Sequence, residues 1–302
     1  MKILLTGANG QLGNALANLG RETSHQLIAL DREALDISHV AMVSATLTHH
    51  SPDLVINAAA YTAVDRAESE SELAFAVNET GPANLASVCS SLDIPLIHIS
   101  TDYVFDGAKV RAYVESDKPN PASVYGRSKL AGEVAVRERL DQHLILRTSW
   151  VFESSGQNFV NTMLRLAKDR SHLSVVNDQF GGPTSSNELA RLIYQVIDRY
   201  EKSGALKWGT YHVSQGPHLS WYEFACEIMD MAHKAGVIPD PVTVMPISSA
   251  EFPTPVDRPK NSRLDCSLFQ QTFGLQISDW KQDLQRLLEE RASSVLTAPS
   301  QF

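Results

Sequence analysis

The heptapeptide Gly7-Ala8-Asn9-Gly10-Gln11-Leu12-Gly13, standing directly after the apolar run Ile3-Leu4-Leu5, constrains the fold more than any other feature of the chain. A short apolar strand that runs at once into glycines must turn tightly, and the residues from Leu12 to Leu19 have the composition of a helix. Gly7 allows the turn, Gly10 lets backbone N–H groups approach a pyrophosphate, and Gly13 permits close contact between helix and sheet. The helix N-terminus favours the anion.

Downstream, short apolar runs keep alternating with helix-length segments. Strands are expected at Leu27 to Leu30, Leu54 to Ile56, Leu96 to Ile99 and Leu144 to Leu146, and helices at Glu72 to Ser90 and Ser128 to Arg139. All-apolar strands suit a sheet covered on both faces, and the strand–helix alternation makes that sheet parallel. The expected fold class is therefore α/β: a Rossmann-like doubly wound parallel sheet in residues 1–150, which binds NAD(P), and a smaller substrate-binding lobe in residues 151–302, some of whose segments return to the first domain. Clustered turn residues at Gly181-Gly182-Pro183, and prolines at 246, 253, 255 and 259, mark the change of texture. The lobe is expected over the open edge of the sheet, and Arg291 to Phe302 as a frayed end.

Charge and cysteine usage exclude several functions. A net charge of −9 disfavours nucleic acid and anionic membrane as partners, since both are attracted by a basic field. Any anionic ligand must be met by local donors. Cys89, Cys226 and Cys266 are odd in number and far apart, which argues against a disulfide framework and fits a reducing cytoplasm. The apolar run that opens the chain is too short for a signal peptide, and no stretch approaches the ~20 apolar residues of a membrane span. No HExxH or similar ligand spacing occurs, so no metal is expected.

At the end of the second strand stands Asp31, where a carboxylate can bond the adenosine ribose and repel a 2′-phosphate. Arg32 follows, and its guanidinium can accept that phosphate, so the cofactor is NADPH or NADH. The third and fourth strands lead into Asn57-Ala58-Ala59-Ala60-Tyr61-Thr62 and Ser100-Thr101-Asp102-Tyr103. Doubly wound sheets bind ligands at these carboxyl ends; the small side chains of Ala58, Ala59 and Ala60 leave room there. Tyr125 and Lys129 are four residues apart, which places them on one face of a helix. A phenol of pKa ~10 is a poor acid–base group at neutral pH until a nearby cation stabilises its phenolate. The set suits reduction of a ketone: Tyr125 gives the proton, Thr101 hydrogen-bonds the oxygen, and Lys129 holds the nicotinamide ribose.

In this order and spacing, the glycine motif, Ser100-Thr101 and Tyr125…Lys129 resemble the extended short-chain dehydrogenase/reductase family. Longer strings are similar to its dTDP-4-dehydrorhamnose reductase group: residues 57–65, 100–107, Arg147-Thr-Ser-Trp-Val-Phe152, 177–184 and 258–264, within a likeness that runs from about residue 1 to 290. The resemblance implies reduction of the C4 ketone of a sugar nucleotide, dTDP-4-dehydro-L-rhamnose. It implies cofactor contacts at Gly10, Gln11, Leu12, Asp31, Asp36, Ile37, Ala60, Tyr61 and Thr62. Thr101, Asp102 and Trp150 are implied to touch the substrate. Arg258, Lys260 and Arg263 are candidates for its diphosphate, against the plain alternative of a solvated basic loop. Some members of the group bridge their dimers through a metal held by glutamates, one on the first helix; Ala15 stands at the matching position here. A homodimer remains open on the sequence.

Two other functions fit the same fold. A sugar-nucleotide dehydratase or epimerase needs further acid–base groups; dehydratases resemble Thr-Asp-Glu after the fourth strand, whereas this chain has Thr101-Asp102-Tyr103. A non-catalytic regulatory subunit, like that of methionine adenosyltransferase, would bind the cofactor without turnover, and fold alone does not separate the two.

Overall fold

The computed structural model describes residues 1–297. Its centre is a six-stranded sheet. Five strands come from the first half of the chain: β1 (Lys2–Thr6), β2 (Gln26–Leu30), β3 (Leu54–Asn57), β4 (Leu96–Thr101) and β5 (His143–Thr148). A sixth, Gly209–His212, pairs with β5, so the order is sixth strand, β5, β4, β3, β1, β2, with every pairing parallel. Winding reverses between β1 and β3, which opens a crevice at the carboxyl ends of the strands.

Each strand is longer than its apolar run because the polar residues at its ends pair across the sheet. Thr6 Oγ1 donates to Asn57 Oδ1 at 2.7 Å, and Asn57 Nδ2 meets His98 Nδ1 at 3.0 Å. These groups are buried, yet mutual hydrogen bonding removes most of the cost of desolvation. An apolar core covers each face. On one, Ile3, Leu5, Leu16 and Ile56 pack with Leu189, Ile193 and Phe269, joining helix α1 (Gln11–Gly20) to helices Ser186–Ser203 and Ser267–Phe273. On the other, Leu4, Val55 and Leu96 pack with Val43, Leu85 and Val136, from α2 (Val40–His50), Gly81–Leu92 and Val124–Arg139.

The helix expected from Glu72 to Ser90 is interrupted. It runs as Ser71–Phe75, one π-helical segment Ala76–Thr80, and then Gly81–Leu92. Single π turns accommodate one extra residue in a helix and cluster at functional sites. Here the extra residue brings Asn78 inward, and its carbonyl reaches the Val124–Arg139 helix where Gly132 stands. A Cβ there would lie 2.0 Å from Asn78 O.

The smaller lobe has its own core of Phe152, Val160, Phe224, Ile228, Trp280, Leu284 and Leu288. A parallel pair, His172–Val176 with Thr243–Ile247, lies beside it. The Gly209–His212 strand is the outermost one beyond β5, and the lobe meets the sheet at the carboxyl ends of its strands. Asn158 Nδ2 donates to Gln11 Oε1 at 2.9 Å, and Arg258 pairs with Asp65. Nor is the chain frayed from Arg291: the last helix, Trp280–Thr297, continues through it, and Arg291 is tied to Ser154 and Asn161. The rest of that expectation, residues 298–302, lies outside the described residues. Among the described residues no helix is long and apolar enough to cross a membrane.

Gly132→Ala is expected to cost about 1–3 kcal/mol, because its methyl meets a backbone carbonyl with no slack. Chemical denaturation of the purified protein measures this; an unchanged midpoint would show that the π segment yields freely.

Candidate active site

Gly7 has φ +72°, and a Cβ there would lie 2.5 Å from Ala59 N, so the loops after β1 and β3 touch only because it is glycine. Gly13 is as tight, 2.1 Å from Gly7 O, whereas at Gly10 the nearest atom is 3.3 Å away. The first bond of α1 runs from Asn14 N to Gly10 O, and no side chain caps the helix. The amides of Gln11, Leu12 and Gly13 thus have no helical acceptor and suit an anion. Asp31 follows β2 and accepts from Asn9 Nδ2 and Ala34 N at 3.0 Å each; the Ala34 bond leads in holding its carboxyl below the usual range. Arg32 is exposed and 3.6 Å from Asp36. The residues present therefore fit a dinucleotide: a glycine cradle, unbonded amides and a carboxylate at the ribose end.

Other expected cofactor residues are placed less directly. Asp36 is occupied by Ser38, and Ile37 is buried against Gly81. Ala58, Ala59 and Ala60 are half-buried at the end of β3, and Thr62 is exposed. Tyr61 points its hydroxyl to Glu70 at 2.6 Å, while its backbone is gripped by Asn78, which accepts from Tyr61 N at 2.8 Å and donates to Tyr61 O at 3.0 Å.

The Val124–Arg139 helix carries Tyr125 and Lys129. Ser123 caps it by accepting from Gly126 N at 3.0 Å, and Val124 N donates to Glu68 at 2.7 Å. Tyr125 is 9% exposed and Lys129 2%. Burial pushes the Tyr125 phenol up from its ordinary value, with its contact with the Thr101 hydroxyl opposing the shift, so the phenol is protonated at neutral pH. Lys129 Nζ donates to Ile99 O at 2.7 Å, and burial brings its pKa down to about 8. Thr101, ending β4, donates to Asp102 Oδ1 at 2.9 Å and accepts from Tyr103 N at 3.2 Å. Asp102 is buried with Oδ2 unbonded, and desolvation raises its carboxyl to about 6.

On the substrate side, Trp150 sits half-buried just past β5 in a left-handed conformation, φ +45°. It stacks on Trp221, ring centroids 3.4 Å apart, and Gly181 backs it so closely that a Cβ would lie 2.4 Å from the indole. That contact explains Gly181, while a Cβ at Gly182 would lie 2.5 Å from Ser214 Oγ. Arg258 is bonded to Asp65 Oδ2 at 2.6 Å, with Asp65 Oδ1 buried and unbonded. Lys260 is exposed. Arg263 is engaged by Asn261 and by Val110 O, and covers the Phe180 ring.

Sequence reasoning passed over Asn78, although Gly81-Pro82 inside an expected continuous helix signalled an interruption. It also left Glu133 without a role, one turn past Lys129. Ala15, 2% exposed, is packed into the core beside Leu12 and Leu16.

The family model for the RmlD substrate binding domain matches residues 1–293. A dTDP-4-dehydrorhamnose reductase of Aggregatibacter actinomycetemcomitans is 43% identical over 95% of this chain and 98% of its own. The crystal structure of a dTDP-4-dehydrorhamnose reductase from Clostridium acetobutylicum is 39% identical with a TM-score of 0.88, over 98% of this chain and 100% of its own. One from Bacillus anthracis, in complex with NADP, is 37% identical with a TM-score of 0.87, over 96% and 99%.

The raised value of Asp102 gives stability a pH dependence. With the folded pKa above the unfolded one, the contribution is complete below about pH 4 and is lost as pH rises through about 6. Asp102→Asn is therefore expected to be more stable than the native chain at pH 7.5 by roughly 1–3 kcal/mol, and equal to it near pH 4. Denaturant unfolding at both pH values tests this; a destabilised variant at pH 7.5 would refute it.

Proposed function

The chain belongs to the RmlD substrate binding domain family, with the dTDP-4-dehydrorhamnose reductases, and on that premise we propose that it reduces the C4 ketone of dTDP-4-dehydro-L-rhamnose to dTDP-L-rhamnose, using NADPH or NADH. The observation that carries this reading is a buried, protonated phenol, Tyr125, beside the Thr101 hydroxyl at the carboxyl end of β4. When bound, the reduced nicotinamide supplies the hydride that goes to the C4 carbon. Tyr125 donates its proton to the C4 oxygen, which completes the secondary alcohol, and Thr101 offers a hydroxyl to the same oxygen. Lys129 stabilises the phenolate that Tyr125 leaves behind and hydrogen-bonds the nicotinamide ribose. Simple ketone reduction needs no further acid, and this chain has Tyr103 where dehydratases carry glutamate.

Gly7, Gly10 and Gly13 with the amides of Gln11 and Leu12 hold the pyrophosphate. Asp31 takes the adenosine ribose, with Arg32 beside it for a 2′-phosphate; the NADP complex of the Bacillus anthracis relative supports NADPH. Asp36, Ile37, Ala58, Ala59, Ala60, Tyr61 and Thr62 line the remainder of the cofactor site. Asp102 and Trp150 contact the sugar, and Arg258 the diphosphate; Arg263 serves that role only by giving up Asn261 and Val110. Reduced nicotinamide and sugar nucleotides are cytoplasmic metabolites, which supports a cytoplasmic location.

The test is loss of NAD(P)H absorbance with dTDP-4-dehydro-L-rhamnose generated in place by an epimerase. Tyr125→Phe is expected to lower kcat by ~10²–10⁴; near-normal turnover in that variant would remove Tyr125 as the acid. Cofactor binding without turnover by the native chain would point to a regulatory subunit instead. Asp31→Ala is expected to lower kcat/KM for NADH more than for NADPH, and an unchanged ratio would count against its ribose contact.

A further inference from the structure

One turn beyond Lys129 on the same helix, Glu133 is fully buried. Its carboxylate accepts from Arg147 Nε at 2.8 Å and Nη2 at 2.7 Å, from Ser100 Oγ at 2.6 Å and from Arg137 Nη1 at 3.1 Å. Ser100 lies between Ile99, whose carbonyl holds Lys129, and Thr101. Three consecutive residues of β4 thus connect to the catalytic helix or to the reacting oxygen. Arg147, 2% exposed, cannot shed its proton. Its positive charge is held against the Glu133 carboxylate, and that carboxylate favours the protonated form of Lys129, which burial opposes.

The surrounding groups leave Glu133 to answer that charge. From β4 comes His98, and from the sixth strand His212, whose Nε2 is 3.5 Å from Arg147; burial holds His98 well below its ordinary value and His212 near 4, so both are neutral. His143, at the start of β5, is also lowered by burial. Glu115 is bound to His212 N at 2.8 Å, and burial raises its carboxyl. For Glu133 burial acts the same way, but the Arg147 bonds and charge, with Ser100 and Arg137, overcome it and hold the carboxyl below its usual range.

We propose that Glu133 is a positioning residue for the reduction: held in place by Arg147, its carboxylate keeps Lys129 charged, and through Ser100 it fixes the end of β4 against the helix that bears Tyr125. This rests on the Tyr125–Lys129 reading above. Removing the carboxylate takes from Lys129 the negative charge that favours its proton, whereas removing the guanidinium leaves that carboxylate uncompensated. The two changes act on Lys129 with opposite sign.

The experiment follows Lys129 directly, by carbon-13 NMR of the full chain labelled at lysine Cε, with the signal assigned from Lys129→Met. Glu133→Gln is expected to lower its titration midpoint by about one pH unit and Arg147→Gln to raise it. The alkaline limb of kcat against pH is expected to move the same way in each, with kcat in Glu133→Gln lowered ~2-fold at pH 7 and ~10-fold at pH 9. Ser100→Ala, which keeps the ion pair, leaves the midpoint in place. A midpoint unmoved by both charge changes, or moved in the same direction, overturns the proposal. Either charge variant suffices if the other does not fold, and the NMR readout needs no substrate, so a failed reductase assay leaves it standing as a separate result.

Discussion

The close approach of the Val124–Arg139 helix to its neighbours is the constraint on which the site depends. It is possible only because of two glycines, one next to Tyr125 and one three residues past Lys129. At Gly126 a Cβ would lie 2.2 Å from Tyr103 O, and at Gly132 2.0 Å from Asn78 O. With nothing larger than hydrogen at those positions, the helix lies against the loop after β4 on one side and the π segment on the other. Tyr125 and Lys129 then fall where β4 ends. Glu68 and Ser123 hold the first turn, so the helix can neither slide nor rotate without losing a cap.

Much of this was legible in the sequence. The alternation of apolar runs placed β1 to β5, and the glycine motif and the spacing of Tyr125 and Lys129 foretold a tight turn and a shared helix face, because close contact and helical spacing leave their mark in residue type. What escaped notice depends on partners distant in the chain. Hydrophobicity gives no sign that Thr6, Asn57 and His98 satisfy one another, so the strands read short. The π turn at Asn78 answers to Ser128, fifty residues away, where Asn78 Nδ2 donates to Ser128 Oγ at 3.0 Å. A basic triplet looks the same whether free or engaged, and only the fold shows Arg263 bound by Asn261 while Arg258 faces Asp65.

The electrostatics follow a similar division. A chain of net charge −9 has no long-range attraction for a nucleotide, so affinity must come from groups aimed at short range. The unbonded amides that open α1 are such groups, and their partial charges cannot be titrated away. Nearer the chemistry, burial governs. It keeps the Tyr125 phenol protonated, lowers Lys129 to about 8 and lifts Asp102 to about 6, three separate consequences of excluding water from one crevice. Asn158, bonded to Gln11, extends that crevice across both lobes, so the cofactor loop and the substrate lobe share a rigid contact.

Two of the four tryptophans, Trp150 and Trp221, lie face to face in the wall of the crevice. Indoles in such contact couple their electronic transitions, and the coupling depends steeply on their separation and tilt. A ligand that rests on Trp150 alters the optical signature of the pair even where the backbone does not move. The protein thereby carries an intrinsic spectroscopic gauge of crevice occupancy, read by near-ultraviolet circular dichroism without any added label.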